Sequence, residues 1–224
     1  MLCYYSEKLA AEKLKLCYTI ASSRVKQYLE AEIEFVLCKI KSSDLVLELG
    51  CGYGRVLQKL EAKAKTIVGI DISSASLTLA RKMFNKTSSC HLYLMNAVEL
   101  GFLDKKFDIV ICIQNGISAF KTDQQKLIEE SIRVTRSGGT VLFSSYSERF
   151  WEDRLEWFRI QSENGLIGEL DNNATGNGII VCKDGFKAST VSPEKFTSLT
   201  SGLGIEPVIT EVDCSSIFYE MRVE

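Results

Sequence analysis

An α/β fold, with a mostly parallel sheet covered by helices on both faces, is the class this sequence predicts. Three observations predict it. Apolar runs of strand length alternate with helical patterns from Leu45 to Tyr146. The first run, ending at Glu48, opens into the glycine-rich stretch Gly50-Cys51-Gly52-Tyr53-Gly54. The run after it, IVGIDIS, carries a second acid, Asp71. Strand, glycine turn, helix, strand, acid is the order in which an open α/β sheet holds an adenosine-containing ligand at the mouth of its strands.

Taken in chain order, residues 6–16 and 22–41 are expected helices. In the second, Val25, Leu29, Ile33, Val36, Leu37 and Ile40 form one stripe at helical spacing. Strands are expected near 45–49, 66–70, 91–95, 107–113 and 140–145, and helices near 54–63, 74–85 and 122–134. Beyond Tyr146 the pattern changes. A helix with Phe150, Trp151, Leu155 and Phe158 leads into Leu166–Leu170. Asp184-Gly185 between apolar-rich flanks predicts a two-residue hairpin inside a small antiparallel insert over 166–191. Pro193 opens a helix to about residue 202, and the tail from Ile205 reads as two more strands.

A length of 224 residues suits one domain with a sizeable core. Net charge is −2 and lysines alternate with glutamates, so no basic stripe marks a nucleic-acid partner. Eight cysteines are scattered without a C-x-x-C pair, and one histidine is too few for the usual zinc patterns, so no metal is expected. Cysteines inside apolar runs, such as Cys38 and Cys112, read as reduced thiols of a cytoplasmic protein. The first residues lack a signal-peptide core, and no apolar run approaches membrane-spanning length.

The glycine turn has a physical logic of its own. Glycine lets the chain turn sharply after a strand and lets a ligand approach the main chain. The following helix points its unpaired N–H groups at whatever sits there. An ionised carboxylate at the tip of the second strand can accept both hydroxyls of a ribose. The spacing G-x-G-x-G differs from the G-x-G-x-x-G of nicotinamide enzymes, which counts against an oxidoreductase.

Glu-Leu-Gly-Cys-Gly-Tyr-Gly followed by Gly-Ile-Asp-Ile-Ser resembles the first two motifs of class I S-adenosylmethionine-dependent methyltransferases, and the resemblance runs through residues 44–146. It implies a Rossmann-like, doubly wound sheet of seven strands whose last two form an antiparallel hairpin. It implies S-adenosylmethionine as cofactor, with S-adenosylhomocysteine as product. It divides one domain into an N-terminal helical cap (1–41), a cofactor-binding core (42–146), a substrate-side insert (147–191), and a final helix with the strand hairpin (192–224).

The resemblance also assigns residues. Gly50, Gly52 and the backbone around Cys51 would face the methionine portion, Gly54 would belong to the same cofactor-binding turn, and Asp71 would hold the ribose. Glu48 would orient the turn and the amino group; the alternative is a plain turn acceptor. Ile72 would lie against the adenine, or simply pack on the sheet. Asn96, Ala97 and Val98 stand where the family has an acid and a small residue near the adenine amine. Gln114 and Asn115 end the fourth strand, where the methyl group lies, and a plain turn is the other reading. The N/D-P-P-Y/F segment of the family's amino-methylating enzymes of nucleic acids and some proteins is absent there, which disfavours that subclass. Arg136-Ser137-Gly138-Gly139-Thr140 resembles the turn before the fifth strand. Tyr5, Tyr18, Tyr146 and Trp151 are substrate-pocket candidates, with core packing as the alternative for each. No catalytic residue is assigned. The layout implies a small-molecule acceptor, a protein or peptide side chain being the second option. A non-catalytic S-adenosylmethionine-binding partner would carry the same motifs.

Overall fold

The computed structural model describes residues 4–84 and 89–224, without the side chains of residues 5 and 6. Its centre is a seven-stranded sheet formed by β1 (Leu45–Leu49), β2 (Thr66–Asp71), β3 (Cys90–Leu94), β4 (Phe107–Cys112), β5 (Thr135–Tyr146), β8 (Val208–Val212) and β9 (Ser216–Arg222). The order across the sheet is β3-β2-β1-β4-β5-β9-β8. The first five strands run parallel, while β9 pairs antiparallel with both β5 and β8. The chain winds outward from β1 in one direction, then restarts at β4 in the other. That reversal leaves a crevice at the carboxyl ends of β1 and β4, where such sheets bind ligands.

Apolar side chains decide how the layers close. On one face α3 (Ser23–Lys39) and α4 (Arg55–Leu60) cover the sheet, with Ile33, Val36 and Leu57 in one cluster with Val46, Ile67 and Ile111. On the other face Leu127, Ile128 and Val134 of α7 (Gln124–Val134) join Phe196 of α9 (Pro193–Thr200) against Val110 and Phe143. The Phe196 and Tyr219 rings stack there, 4.1 Å between centroids. The helix starts are set locally. Ser22, Ser73, Asp123 and Ser192 each accept a backbone N–H of the first turn, the usual N-cap arrangement. Pro193 occupies the first turn of α9.

A third cluster lies off the sheet. It joins Leu9, Cys17, Val25 and Tyr28 of the N-terminal segment to Phe150, Trp157 and Phe158, and to Ile180 and Phe186 of the insert. Trp157 Nε1 donates to the Cys17 carbonyl at 2.9 Å, and Tyr4 Oη donates to Asp184 at 2.7 Å. The N-terminal helices and the insert therefore form one roof.

Several boundaries differ from expectation. The helix expected over 6–16 is two helices, α1 (Tyr4–Glu7) and α2 (Glu12–Thr19), because Ala11 takes a left-handed φ of 51°. The helix expected to reach residue 85 is α5 (Ser74–Arg81), and position 85 lies outside the described residues. A short helix, α6 (Gly116–Ala119), was not expected. β5 starts at Thr135 rather than 140, because residues 136–139 loop out between two paired registers, with Gly138 at φ 72°. The insert hairpin pairs β6 (Ile180–Val181) with β7 (Lys187–Ala188). Its turn holds three residues between Cys182 and Phe186 rather than two, since Cys182 N–H reaches the Phe186 carbonyl. Gly185, at φ 93°, supplies the left-handed position that such a loop needs.

Candidate active site

The crevice is a cavity of about 180 Å³, partly open to solvent. One wall comes from the ends of β1, β2 and β4. Gly50 has φ 73°, and the Phe120 ring stands 2.4 Å from where a Cβ would sit. Only glycine fits, and the chain is forced back under the cavity. Asp71 organises the turn: one carboxylate oxygen accepts Gly52 N–H at 2.8 Å and the other accepts Ser73 N–H at 2.7 Å. A carboxylate has about four lone-pair sites, so acceptor capacity remains. Burial raises the Asp71 pKa, against the pull of these N–H donors. Ile72, 47 % exposed, presents an apolar surface beside it.

Glu48 is buried at the base of the turn, and its Oε2 has no hydrogen-bond partner. Burial pushes its carboxyl up to about 8; Arg55 opposes the rise and Asp71 adds to it. Glu32 of α3, fully buried behind the end of β4, accepts Gln114 N–H at 2.6 Å and the hydroxyls of Ser144 and Ser216 at 2.9 and 2.6 Å. Burial dominates here too and holds it at about 7. The brace supports Gln114 and Asn115, both left-handed at φ 56° and 62°.

The facing wall is aromatic. Tyr18 lies 6.0 Å from Trp157 and 6.1 Å from Tyr53, centroid to centroid, and Tyr28 lies 5.4 Å from Tyr146. Phe158 and Gln161 complete it. Among the described residues no cluster of His, Cys, Asp and Glu could hold a metal ion.

Glu48, Gly50, Cys51, Gly52, Asp71, Ile72, Asn96, Ala97 and Gln114 all line this cavity, as do Tyr18 and Tyr146. Four other candidates do not. Gly54 turns its free side toward Ala80 of the neighbouring helix α5 and Phe84 beyond its end. Val98 packs on the core beside an Asn96 side-chain turn. Asn115 is committed to Ser145 and the Ser189 carbonyl. Trp151 sits in the roof beside Arg154. The Tyr5 side chain lies outside the described residues. His91 is exposed on the edge strand β3.

Sequence reading missed Arg55, Glu32, Tyr28, Trp157 and Gln161. Two of these left signals. Arg55 is the cation next to the glycine turn, and Glu32 is an acid beside the apolar stripe of α3. The buried face of α8 (Trp151–Glu163) is Arg154, Trp157, Phe158 and Gln161. It has helical spacing, but two of its four members are polar, so hydropathy does not reveal it.

Sheet order, glycine turn and strand-end acids together form the kind of crevice in which open α/β sheets hold an adenosine-containing ligand. Comparison with known proteins agrees. Residues 46–139 match the family described as Methyltransferase domain. A malonyl-[acyl-carrier protein] O-methyltransferase of Hamiltonella defensa is 35% identical over 141 residues, covering 60% of this chain and 52% of that protein. A ubiquinone biosynthesis O-methyltransferase of Coxiella burnetii is 25% identical over 141 residues, covering 62% and 56%. The chain thus spans about half the length of the curated relatives it matches. Among solved structures, the PH0226 protein of Pyrococcus horikoshii superposes with a TM-score of 0.69 at 20% identity, covering 96% of this chain and 99% of that one. The N-methyltransferase NodS of Bradyrhizobium japonicum, in complex with S-adenosyl-L-homocysteine, gives 0.62 at 15%, covering 96% and 94%. The family match thus spans residues 46–139, and the two solved structures share the fold over nearly the whole chain.

Proposed function

We propose that this chain transfers the methyl group of S-adenosylmethionine to a nucleophilic atom of a small molecule. The observation that carries the reading is the two-walled cavity at the sheet's switch point. One wall holds the glycine turn with Asp71 and the unpartnered Glu48 oxygen; the other is aromatic. The donor set fits the cofactor. Asp71 has acceptor capacity for a ribose, Ile72 offers an apolar face for a base, and the buried Glu48 oxygen suits an ammonium. Asn96 and Ala97 extend the adenine side.

When bound, S-adenosylmethionine supplies a sulfonium methyl open to in-line displacement. The chain's own part is positional: it fixes the two reactants and keeps water out. Residues 42–146 hold the cofactor. The cap over 1–41 and the insert over 147–191 enclose the acceptor, with Tyr18, Tyr28, Tyr146 and Trp157 as its walls, and residues 192–224 complete the sheet. The names of the two curated relatives support an acceptor of small-molecule type. No described helix is long and apolar enough to cross a membrane. The free thiols at Cys17, Cys38, Cys51, Cys112, Cys182 and Cys214 support a reducing, cytoplasmic setting.

The test is a screen of pooled metabolites and peptides with radiolabelled S-adenosylmethionine. A labelled small molecule is the expected result. A protein that binds S-adenosylhomocysteine yet labels nothing across broad pools would point to a binding partner rather than an enzyme.

A further inference from the structure

Among the described residues, the roof side of the cavity presents rings, apolar groups and one amide, and no charged group. Its polar and aromatic members are Tyr18, Tyr28, Tyr146, Trp157, Phe158 and Gln161. Burial raises the pKa of all three tyrosines, so they stay neutral phenols. The charged residues that line the cavity, Glu48, Arg55 and Asp71, belong to the turn wall. Gln161 differs from the rings beside it. The rings hold the roof together, and Trp157 Nε1 is committed to the Cys17 carbonyl. Gln161 is only 3 % exposed, yet its side-chain amide hydrogen-bonds to no described residue. A buried amide without a partner is costly. The cost disappears when a ligand in the cavity supplies the partner. The amide has both an acceptor oxygen and N–H donors to offer it.

We propose that Gln161 is a specificity-determining residue for the methyl acceptor, and that it selects an uncharged, planar aromatic molecule with a neutral hydrogen-bonding substituent. The proposal rests on the methyl-transfer reading given above and goes further by naming the acceptor class. Flat ring walls favour a flat apolar body. A bare ring would leave the amide unpaired, so the acceptor carries a group that pairs with it. Neither charge is accommodated on this side. A carboxylate there would be buried with no cation lining that wall. An ammonium would meet rings already taken. The Arg55 guanidinium stands 4.5 Å from the Tyr18 centroid, and that of Arg154 stands 4.4 Å from the Tyr146 centroid. A ring that already faces one cation gives less to a second, and the like charges repel. Gln161 lies on α8, across the cavity from the turn wall. An acceptor anchored there by its substituent turns its opposite edge toward the cofactor side.

The experiment is calorimetry on the full chain, first with S-adenosylhomocysteine and then, with that ligand saturating, with three probes of one size. These are para-hydroxybenzamide, which is neutral, para-hydroxybenzoate, an anion, and para-hydroxybenzylamine, a cation at neutral pH. Wild type should bind para-hydroxybenzamide at least about tenfold more tightly than either charged probe. In Gln161→Leu the affinity for para-hydroxybenzamide should fall by about tenfold, with S-adenosylhomocysteine affinity unchanged. The same variant should keep or raise the melting temperature of the free protein, because it removes a buried amide that pairs with nothing in the fold. A drop of more than about 4 °C would mark Gln161 as a packing residue and overturn the proposal. A preference for a charged probe, no response to any probe, or unchanged para-hydroxybenzamide affinity in Gln161→Leu would overturn it as well. Failure of wild type to bind S-adenosylhomocysteine would instead overturn the methyl-transfer reading, a result distinct from the others.

Discussion

Within one cavity, the wall over residues 48–56 and 70–72 is made mainly of backbone, whereas the wall over residues 9–29 and 146–161 is made of side chains. The first wall is short in sequence and held by carboxylate-to-N–H bonds that span 2 and 19 residues. The second is assembled from segments about 130 residues apart and held by ring contacts and a hydrogen bond between residues 140 apart. A backbone wall is rigid because its turn admits almost no other side chain, as the Phe120 ring against Gly50 shows. A side-chain wall is shaped by packing, so it can be rebuilt by substitution without disturbing the sheet. Damage to the aromatic wall should appear as lost stability, and damage to the turn wall as lost ligand.

The largest effect expected is on the aromatic wall. Trp157→Ala removes a buried indole and its bond to the Cys17 carbonyl. It should cost about 3–5 kcal/mol of folding stability. Urea unfolding measures this, and a loss below about 1 kcal/mol would show that the roof is not part of the cooperative fold.

On the turn wall, Asp71→Ala should weaken S-adenosylhomocysteine binding by about 1.5–3 kcal/mol, measured by calorimetry. The structure adds a second cost, because Asp71 also holds Gly52 and Ser73. A stability loss of about 1 kcal/mol should accompany the affinity loss. A folded variant with unchanged affinity would remove Asp71 from the ribose site.

A pH dependence separates the walls next. Burial holds Glu48 at about 8 and Glu32 at about 7, both above the ordinary 4.5. Acids raised in this way contribute stability that is complete below pH 4.5 and is lost as pH rises through 7 and 8. The melting temperature of the free protein should therefore fall between about pH 4.5 and about pH 8, and less steeply in Glu48→Gln. An ammonium placed against Glu48 stabilises its anion, so ligand binding near neutral pH should release protons. Calorimetry in buffers of differing ionisation enthalpy reads the number, and proton uptake would contradict the assignment.

The smallest effect returns to the roof. Tyr4→Phe removes an exposed bond to Asp184 and should cost less than about 1 kcal/mol. A larger drop in melting temperature would mean that Tyr4 is a stronger clasp between cap and insert than this exposed hydrogen bond suggests.

The sequence alone determined the sheet core and the turn wall. Strand runs and helical stripes are local patterns, and Gly50 and Asp71 are dictated by a turn that spans a few residues. Glu48, Gly52, Ile72 and Ala97 could be placed for the same reason. The tertiary structure alone decided the rest. Gly54 and Asn115 sit inside or beside the motifs yet turn to Phe84 and Ser145, contacts that no local pattern encodes. Trp157 rather than Trp151 faces the cavity because Arg154 and Gln161 share its buried face. Glu32 lies beside an apolar stripe, and its partners Ser144 and Ser216 are 112 and 184 residues away. Propensity and periodicity report what a segment does with its neighbours in sequence. The burial of an acid, or the choice between two tryptophans, depends on which distant surface arrives to meet it.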